Sequence, residues 1–335
     1  MTVLAPAVEA FVDEAFARFD GAAGSEPPIG VCVAGRALRF RFAAPGLRER
    51  FVPALRHLAS TTATPSLTVC CWDASTTAAV LPDPPWPRGD FLPRSRIRGH
   101  IAGPVVATYD ADGQLFQLYD RRCARALLHA GAGNRLPDWH DRAPFKALLA
   151  LWAQDEGLAL LHGAALAQDG RGVVLAGRSG AGKSTTALTC RLAGMDMLAD
   201  DACLVDIEHR TVSSVYGRAK LEPDAADRLR GRGLPLTTSP RDAPLVLSPP
   251  VGRHAELCGI ALLRVGTSSA CELSCVLSAR DALEALVETA RPESDGLTPG
   301  ALGVLERVVE TFAVRCLVLG SDPDHIVATI RGLCA

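Results

Sequence analysis

The sequence predicts two modules: a mixed α+β domain over residues 1–135 and an α/β domain with a mixed sheet over residues 136–335. Three observations predict them. Short strand-like runs separated by helical periodicity fill the first module. In the second, the strand candidate Val173-Val174-Leu175-Ala176 runs into a glycine-rich loop and then a helix-like stretch, Ser184 to Leu192, with Gly194 placed to stop it. Ahead of that strand, Leu158 to Leu166 is another strand candidate, joined to it by the tight-turn sequence Gln168-Asp169-Gly170-Arg171.

Within the first module, Val8, Phe11, Val12, Ala15 and Phe16 recur at helical spacing while Glu9, Asp13 and Glu14 fall elsewhere, which predicts an amphipathic helix over residues 1 to about 20. The Gly/Pro-rich break Gly21 to Pro28 follows. Gly30 to Val33, Leu38 to Phe42 and Leu67 to Trp72 read as strands, with a helix-like Leu47 to Leu58 before the last. Leu81 to Pro93 is too rich in proline for a central strand, because proline cannot donate to a ladder, and reads as a surface connection. Arg94, Arg96 and Arg98 come next, as a solvated loop or a contact for an acidic partner. Val105 to Tyr109 and Leu115 to Tyr119 flank Asp110-Ala111-Asp112-Gly113, a hairpin signal. This module carries no identifiable catalytic motif, which leaves substrate or partner binding as its expected role.

With 335 residues, 48% of them hydrophobic, the chain can build two cores. A formal net charge of -2 gives no broad attraction for nucleic acid or an anionic membrane, so any phosphate has to be held by a local site. The eleven cysteines are scattered, without paired CxxC units or Cys/His ligand spacing, and read as buried reduced thiols. No side chain from Met1 to Val8 is charged and acids follow at once, so no export signal is visible. Apolar runs such as Gly259 to Val265 fall far short of the roughly 20 residues a spanning helix needs. A soluble cytoplasmic protein with neither nucleic acid nor membrane as partner is expected.

In the second module, Phe145, Leu148, Leu149 and Trp152 predict a helix over Asp141 to Trp152. The loop Gly177-Arg178-Ser179-Gly180-Ala181-Gly182-Lys183-Ser184 then matches the Walker A pattern G-x-x-x-x-G-K-S/T completely, in the strand–loop–helix context the pattern requires. Gly177, Gly180 and Gly182 allow the backbone to aim successive N–H groups at phosphate oxygens, and the helix N-terminus adds partial positive charge. Lys183 should reach the β- and γ-phosphates of a nucleotide and Ser184 should ligate magnesium. The expected nucleotide-binding residues run from Gly177 through Thr185. A coincidental glycine-rich turn is the plain alternative.

If Asp169-Gly170 form a two-residue turn, residue 168 faces 171, 167 faces 172, and continuation brings His162 opposite Gly177 at the edge of the loop. His162 is then a catalytic candidate, against the alternative of a packed core histidine. Met195 to Ala199 reads as a strand ending in Asp200-Asp201, and Cys203 to Ile207 with Thr211 to Val215 as a hairpin around Glu208-His209-Arg210. Two adjacent carboxylates are costly to hold together unless a cation such as magnesium is present. Phosphoryl transfer uses one acid to help hold the metal and another to orient or deprotonate the acceptor hydroxyl.

His162-Gly163, the loop ending Gly182-Lys183-Ser184, and Leu198-Ala199-Asp200-Asp201 together resemble the catalytic core of the HPr kinase/phosphorylase family, over about residues 158 to 207. The resemblance implies a P-loop kinase core of the HPr kinase / PEP carboxykinase type and transfer of the γ-phosphoryl group of ATP, with Mg2+, to a protein serine. It implies the acid/base role for Asp200, with His162 adjusting it, and magnesium ligation for Asp201 and Ser184. It also allows a homo-oligomer, since the related kinases are hexamers. Thr185 stands where the bifunctional enzymes usually carry Glu, and Val215-Tyr216-Gly217-Arg218-Ala219-Lys220-Leu221 replaces their glycine-rich signature. That is more like the divergent HPr-kinase-like proteins encoded beside biosynthetic genes, some of which phosphorylate a small peptide. Lys220 is a candidate contact for ATP or acceptor phosphate, against the alternative of an ordinary surface lysine, and Glu222 is a weaker candidate for a second metal ion.

The remainder reads as framework: a Pro/Ser/Thr-rich stretch over Leu236 to Val251 that is either a flap over the acceptor or a plain surface loop, paired strands at Gly259 to Val265 and Glu272 to Leu277, a helix over Asp281 to Ala290 opened by Ser278, and a strand at Val314 to Leu319 before a final helix. The loop also resembles that of adenylylsulfate kinase, so a small-molecule kinase is one rival reading; the preceding hairpin argues against it. A non-catalytic ATP-binding regulator or scaffold is another, and intact Lys183, Ser184, Asp200 and Asp201 argue against that. An ABC-type or motor ATPase is disfavoured by the lack of a Leu-Ser-Gly-Gly-Gln stretch and of a hydrophobic strand ending in Asp-Glu.

Overall fold

The structure is a computed structural model that describes residues 5–335 apart from 25, 62–63, 78, 92–94, 98–102, 111–113, 132–135, 234–244, 248–250 and 291–298. The chain divides into two compact units whose described residues fall within 5–152 and within 153–335. The tip of the expected hairpin at 111–113, Arg94, Arg98 and most of the expected flap at 236–251 lie outside the described residues.

In the first unit, helix α1 (Pro6–Ala22) buries Val8, Phe11, Val12, Ala15 and Phe16, the stripe its spacing predicts, and Phe19 one turn further on. Strands β1 (Ile29–Val33) and β2 (Arg36–Phe42) form a hairpin, and after α2 (Pro45–Leu55) strand β3 (Leu67–Asp73) returns parallel to β2. Strands β4 (Ser95–Arg96), β5 (Val105–Asp110), β6 (Leu115–Asp120) and β7 (Arg125–Ala130) complete a sheet ordered β1-β2-β3-β7-β6-β5-β4. One face carries α1: Phe11 meets Trp86 and Phe116 edge-on, with ring centroids 5.2 and 5.8 Å apart. The expected helix over Asp141 to Trp152 is two helices, α3 (Trp139–Arg142) and α4 (Lys146–Asp155), because Phe145 sits between them at φ +61. That conformation costs a non-glycine residue energy, offset here by a ring packed between Phe40 and Phe51.

The second unit starts with β8 (Leu158–Leu161), β9 (Gly163–Gln168) and β10 (Arg171–Ala176). Asp169 and Gly170 have φ of +52 and +80, the two left-handed residues of a tight hairpin turn, and set the pairing 168/171, 167/172 and onward to Gly163/Ala176. The expected single strand Leu158 to Leu166 is broken at His162. Beyond the loop come α5 (Lys183–Leu192), β11 (Asp196–Ala199), β12 (Cys203–Asp206), β13 (Thr211–Ser214), β14 (Ala219–Leu221), α6 (Pro223–Arg230), β15 (Leu245–Leu247), β16 (His254–Val265), β17 (Glu272–Val276), α7 (Ala279–Ala290), α8 (Pro299–Thr311), β18 (Ala313–Leu319) and α9 (Pro323–Cys334).

The main sheet runs β11-β9-β10-β16-β13-β12-β8, with β18 joined to β16 and β17 to β18. β10, β16 and β18 are mutually parallel, whereas β9, β12 and β13 pair antiparallel, so the sheet is mixed. The strands expected to pair, at Gly259 to Val265 and Glu272 to Leu277, do not meet: β18 enters between them and takes both edges. Alternate residues Ala164, Leu166, Val173, Leu175, Ala261, Leu263, Leu317 and Leu319 point to one face, where α5, α6 and α9 bury Ala187, Leu188, Leu229, Val327 and Ile330 against them. Ser278 caps α7, accepting from the Asp281 N–H at 3.2 Å while its hydroxyl donates to the Asp281 carboxylate at 2.7 Å. Among the described residues no helix is long and apolar enough to cross a membrane.

Candidate active site at the glycine-rich loop

β10 ends at Ala176, and Gly177 to Gly182 carry the chain to α5, whose first residue is Lys183. Gly177, Gly180 and Gly182 hold φ of +151, +81 and +90. A Cβ on Gly182 would stand 2.9 Å from Leu319 Cδ1, and one on Gly177 would stand 3.1 Å from the carbonyl oxygen of Leu263. The ends of β16 and β18 thus wall the loop, and glycine alone suits both the torsions and the space. Arg178, Ser179 and Gly180 form an exposed rim; Ala181, Gly182, Ser184 and Thr185 are half-buried. The Thr186 N–H closes the first helical bond on the Gly182 oxygen at 2.9 Å, so the amides before it have no intrahelical acceptor and their partial positive charge faces the loop. Lys183 is buried beneath the rim and its Nζ donates to the carbonyls of Gly177 at 2.7 Å and Arg178 at 3.1 Å.

β9 runs antiparallel to both β10 and β11, so β10 and β11 point the same way and their C-terminal ends share one edge with the N-terminal end of β9. Three stretches distant in sequence therefore end together: the loop after Ala176, the acids after Ala199, and His162 before Gly163. A tight backbone approach fixes this corner, because a Cβ on Gly163 would lie 2.6 Å from the Leu175 carbonyl oxygen. His162 Nδ1–H donates to the main-chain oxygen of Asp201 at 2.9 Å and stands 3.8 Å from its Oδ1.

The two acids have different surroundings. Asp200 is only 4% exposed, and its Oδ2 accepts the main-chain N–H of Lys220 at 2.9 Å. The Asp201 side chain is 24% exposed. Lys220 Nζ is 2.5 Å from Glu222 Oε1, so the two side chains expected to meet phosphate and metal are paired with one another. Among the described residues no cluster of three or more His, Cys, Asp or Glu could hold a metal. Ser184 and Asp201 are hard oxygen donors of the kind Mg2+ accepts, and a cation that keeps waters and phosphate oxygens as its remaining ligands needs only one or two from protein. The donor set fits magnesium carried in with a nucleotide.

No family model matches the chain, and no curated protein matches it. Among solved structures that match is the Hpr(Ser) kinase/phosphatase from Coxiella burnetii, with 13% identity and a TM-score of 0.29, over 52% of this chain and 94% of that one. At that TM-score the likeness decides nothing about activity. What sequence reasoning missed at the site is the main-chain amide of Lys220 and the wall made by Leu263 and Leu319. A backbone N–H leaves no residue-type signature, and the wall residues look like ordinary strand formers.

Proposed function

We propose that the protein is an ATP- and Mg2+-dependent kinase that transfers the γ-phosphoryl group to a serine or other hydroxyl of a small protein or peptide. The reading is supported above all by the convergence of a complete phosphate-loop sequence, an Asp-Asp pair and a histidine at one sheet edge. Mg-ATP would supply the phosphoryl group and the cation that neutralises it. The loop amides and the α5 N-terminus cradle the phosphates, while Lys183 exchanges the carbonyls of Gly177 and Arg178 for phosphate oxygens. Ser184 and Asp201 hold the cation. Asp200, buried and fixed, orients the acceptor hydroxyl and takes its proton. His162 holds the turn that carries Asp201.

The test is incubation with γ-labelled ATP and a cell extract or the products of neighbouring genes, with Lys183→Ala as control. A labelled protein or peptide that disappears with the variant supports the reading. A labelled metabolite points instead to a small-molecule kinase, and tight ATP binding with no labelled product to a non-catalytic regulator.

A further inference from the structure

Resting on the kinase reading, we infer that the main-chain N–H of Lys220, not its ammonium group, positions Asp200 for the acceptor hydroxyl. Three observations combine. The carboxylate of Asp200 is almost wholly buried and its Oδ2 accepts that N–H at 2.9 Å. An amide donor of fixed direction sets the plane of the carboxylate, which decides where its second oxygen points. Next, β14 pairs with β15 through Ala219/Leu247, Lys220/Val246 and Leu221/Leu245. Since the Lys220 N–H turns to Asp200, Lys220 occupies the position of this ladder whose amide faces away from β15. The bond to Asp200 thus costs the ladder nothing. Finally, Ala219 and Leu221 on either side are 1% exposed and sit in the core with Ala187 and Leu188 of α5, the helix that begins at the phosphate loop. The donor is therefore mounted on the element that would hold the nucleotide.

The side chain has a separate engagement. Residues 220 and 222 lie on the same side of an extended chain, and Lys220 Nζ meets Glu222 Oε1 at 2.5 Å with both groups substantially exposed. An exposed pair of this kind contributes little to rigidity. The two parts of Lys220 can thus be separated by experiment. Lys220→Ala removes the ammonium and keeps the N–H. Lys220→Pro removes the N–H, which proline lacks, at a position where no ladder bond depends on it and where extended backbone at Ala219 suits a following proline. An amide-to-ester replacement, made with the α-hydroxy analogue of lysine, removes the N–H and leaves the side chain intact.

With γ-labelled ATP and a degenerate serine-peptide library as acceptor, Lys220→Pro and the ester should each lose at least about tenfold more kcat than Lys220→Ala, while KM for ATP stays within about twofold of wild type. ATP affinity and Tm, measured on the same samples, report folding; if the proline variant melts early, the ester replacement decides. The inference is overturned if the ester retains wild-type kcat, or if Lys220→Ala loses as much as the ester does. A wild-type protein that transfers label neither to the library nor to any species in the cell extract overturns the kinase reading itself, and this inference with it.

Discussion

His162 Nδ1–H donates to the main-chain oxygen of Asp201 at 2.9 Å, tying the residue just before β9 to the second residue beyond β11. A carbonyl oxygen only accepts, so the bond puts the proton on Nδ1 and turns Nε2 away from Asp201. The same contact lies where the strand candidate Leu158 to Leu166 is interrupted: β8 goes on to pair with β12 and β9 with β10 and β11, and the histidine stands at the fork.

Loss of this tether should free the turn that carries both acids. His162→Ala is expected to lower kcat on the order of tenfold, with little change in ATP affinity, because the ring is hydrogen-bonded to the turn that carries the acids. Steady-state kinetics with separate ATP-binding measurements check this; an ATP affinity that falls in step with kcat would place the ring's role at the nucleotide instead.

The neighbouring acids should separate in kinetics. Asp200→Asn is expected to remove transfer by a factor on the order of 100 or more while ATP still binds, since an amide cannot take the hydroxyl proton. Asp201→Asn should instead raise the Mg2+ concentration needed for half-maximal rate, with saturating metal restoring part of the activity. A magnesium titration of both variants tells them apart, and identical metal dependence would remove Asp201 from the metal site.

Gly182→Ala tests the loop without touching a charged group. At φ +90 the substitution costs about 1–2 kcal/mol in backbone energy, and the new methyl also presses on Leu319 Cδ1. A lowered Tm together with weakened ATP binding is expected. Leu319→Ala in the same chain should recover part of the binding by opening the wall while leaving the torsional cost in place.

The first unit should be acid-labile. Burial, reinforced by the charge of Arg50, holds the His140 imidazole down to about 3, and burial holds His129 down to about 4. Both stay neutral in the folded chain while an unfolded chain takes up protons below about pH 6.5, so their stabilisation is complete above that value and is lost progressively as pH falls toward 3–4. For His140 alone the loss amounts to about 2 kcal/mol between pH 6.5 and pH 5. Trp72, Trp86, Trp139 and Trp152 all lie in this unit, so urea unfolding followed by tryptophan fluorescence reads it selectively. A midpoint unchanged between pH 7.5 and pH 5 would refute the assignment.

Much of the local structure was legible because its causes are local. The stripe Val8 to Phe16 is buried as helical spacing requires, and Asp169-Gly170 set a register that follows arithmetically to the loop. The break at Phe145 was not legible, since a left-handed phenylalanine is tolerable only through the rings of Phe40 and Phe51, which come from distant elements. The pairing of β16 and β17 with β18 instead of with each other was hidden for a similar reason: edge partners in a parallel arrangement are chosen by crossover packing, not by sequence neighbourhood.

The sequence by itself determined the glycine loop with Lys183 and Ser184, the hairpin ahead of it, and the acids at the end of the following strand, because turn torsions, strand alternation and the backbone freedom of glycine act over a few residues. Only the tertiary structure decided that the histidine meets Asp201 through the main chain, that Lys220 and Glu222 pair with each other, and that Asp200 is held by a backbone amide. Those contacts join segments 20 to 39 residues apart or choose one partner among several within reach. Sheet register and the packing of β14 on α5 make that choice, and no local propensity encodes it.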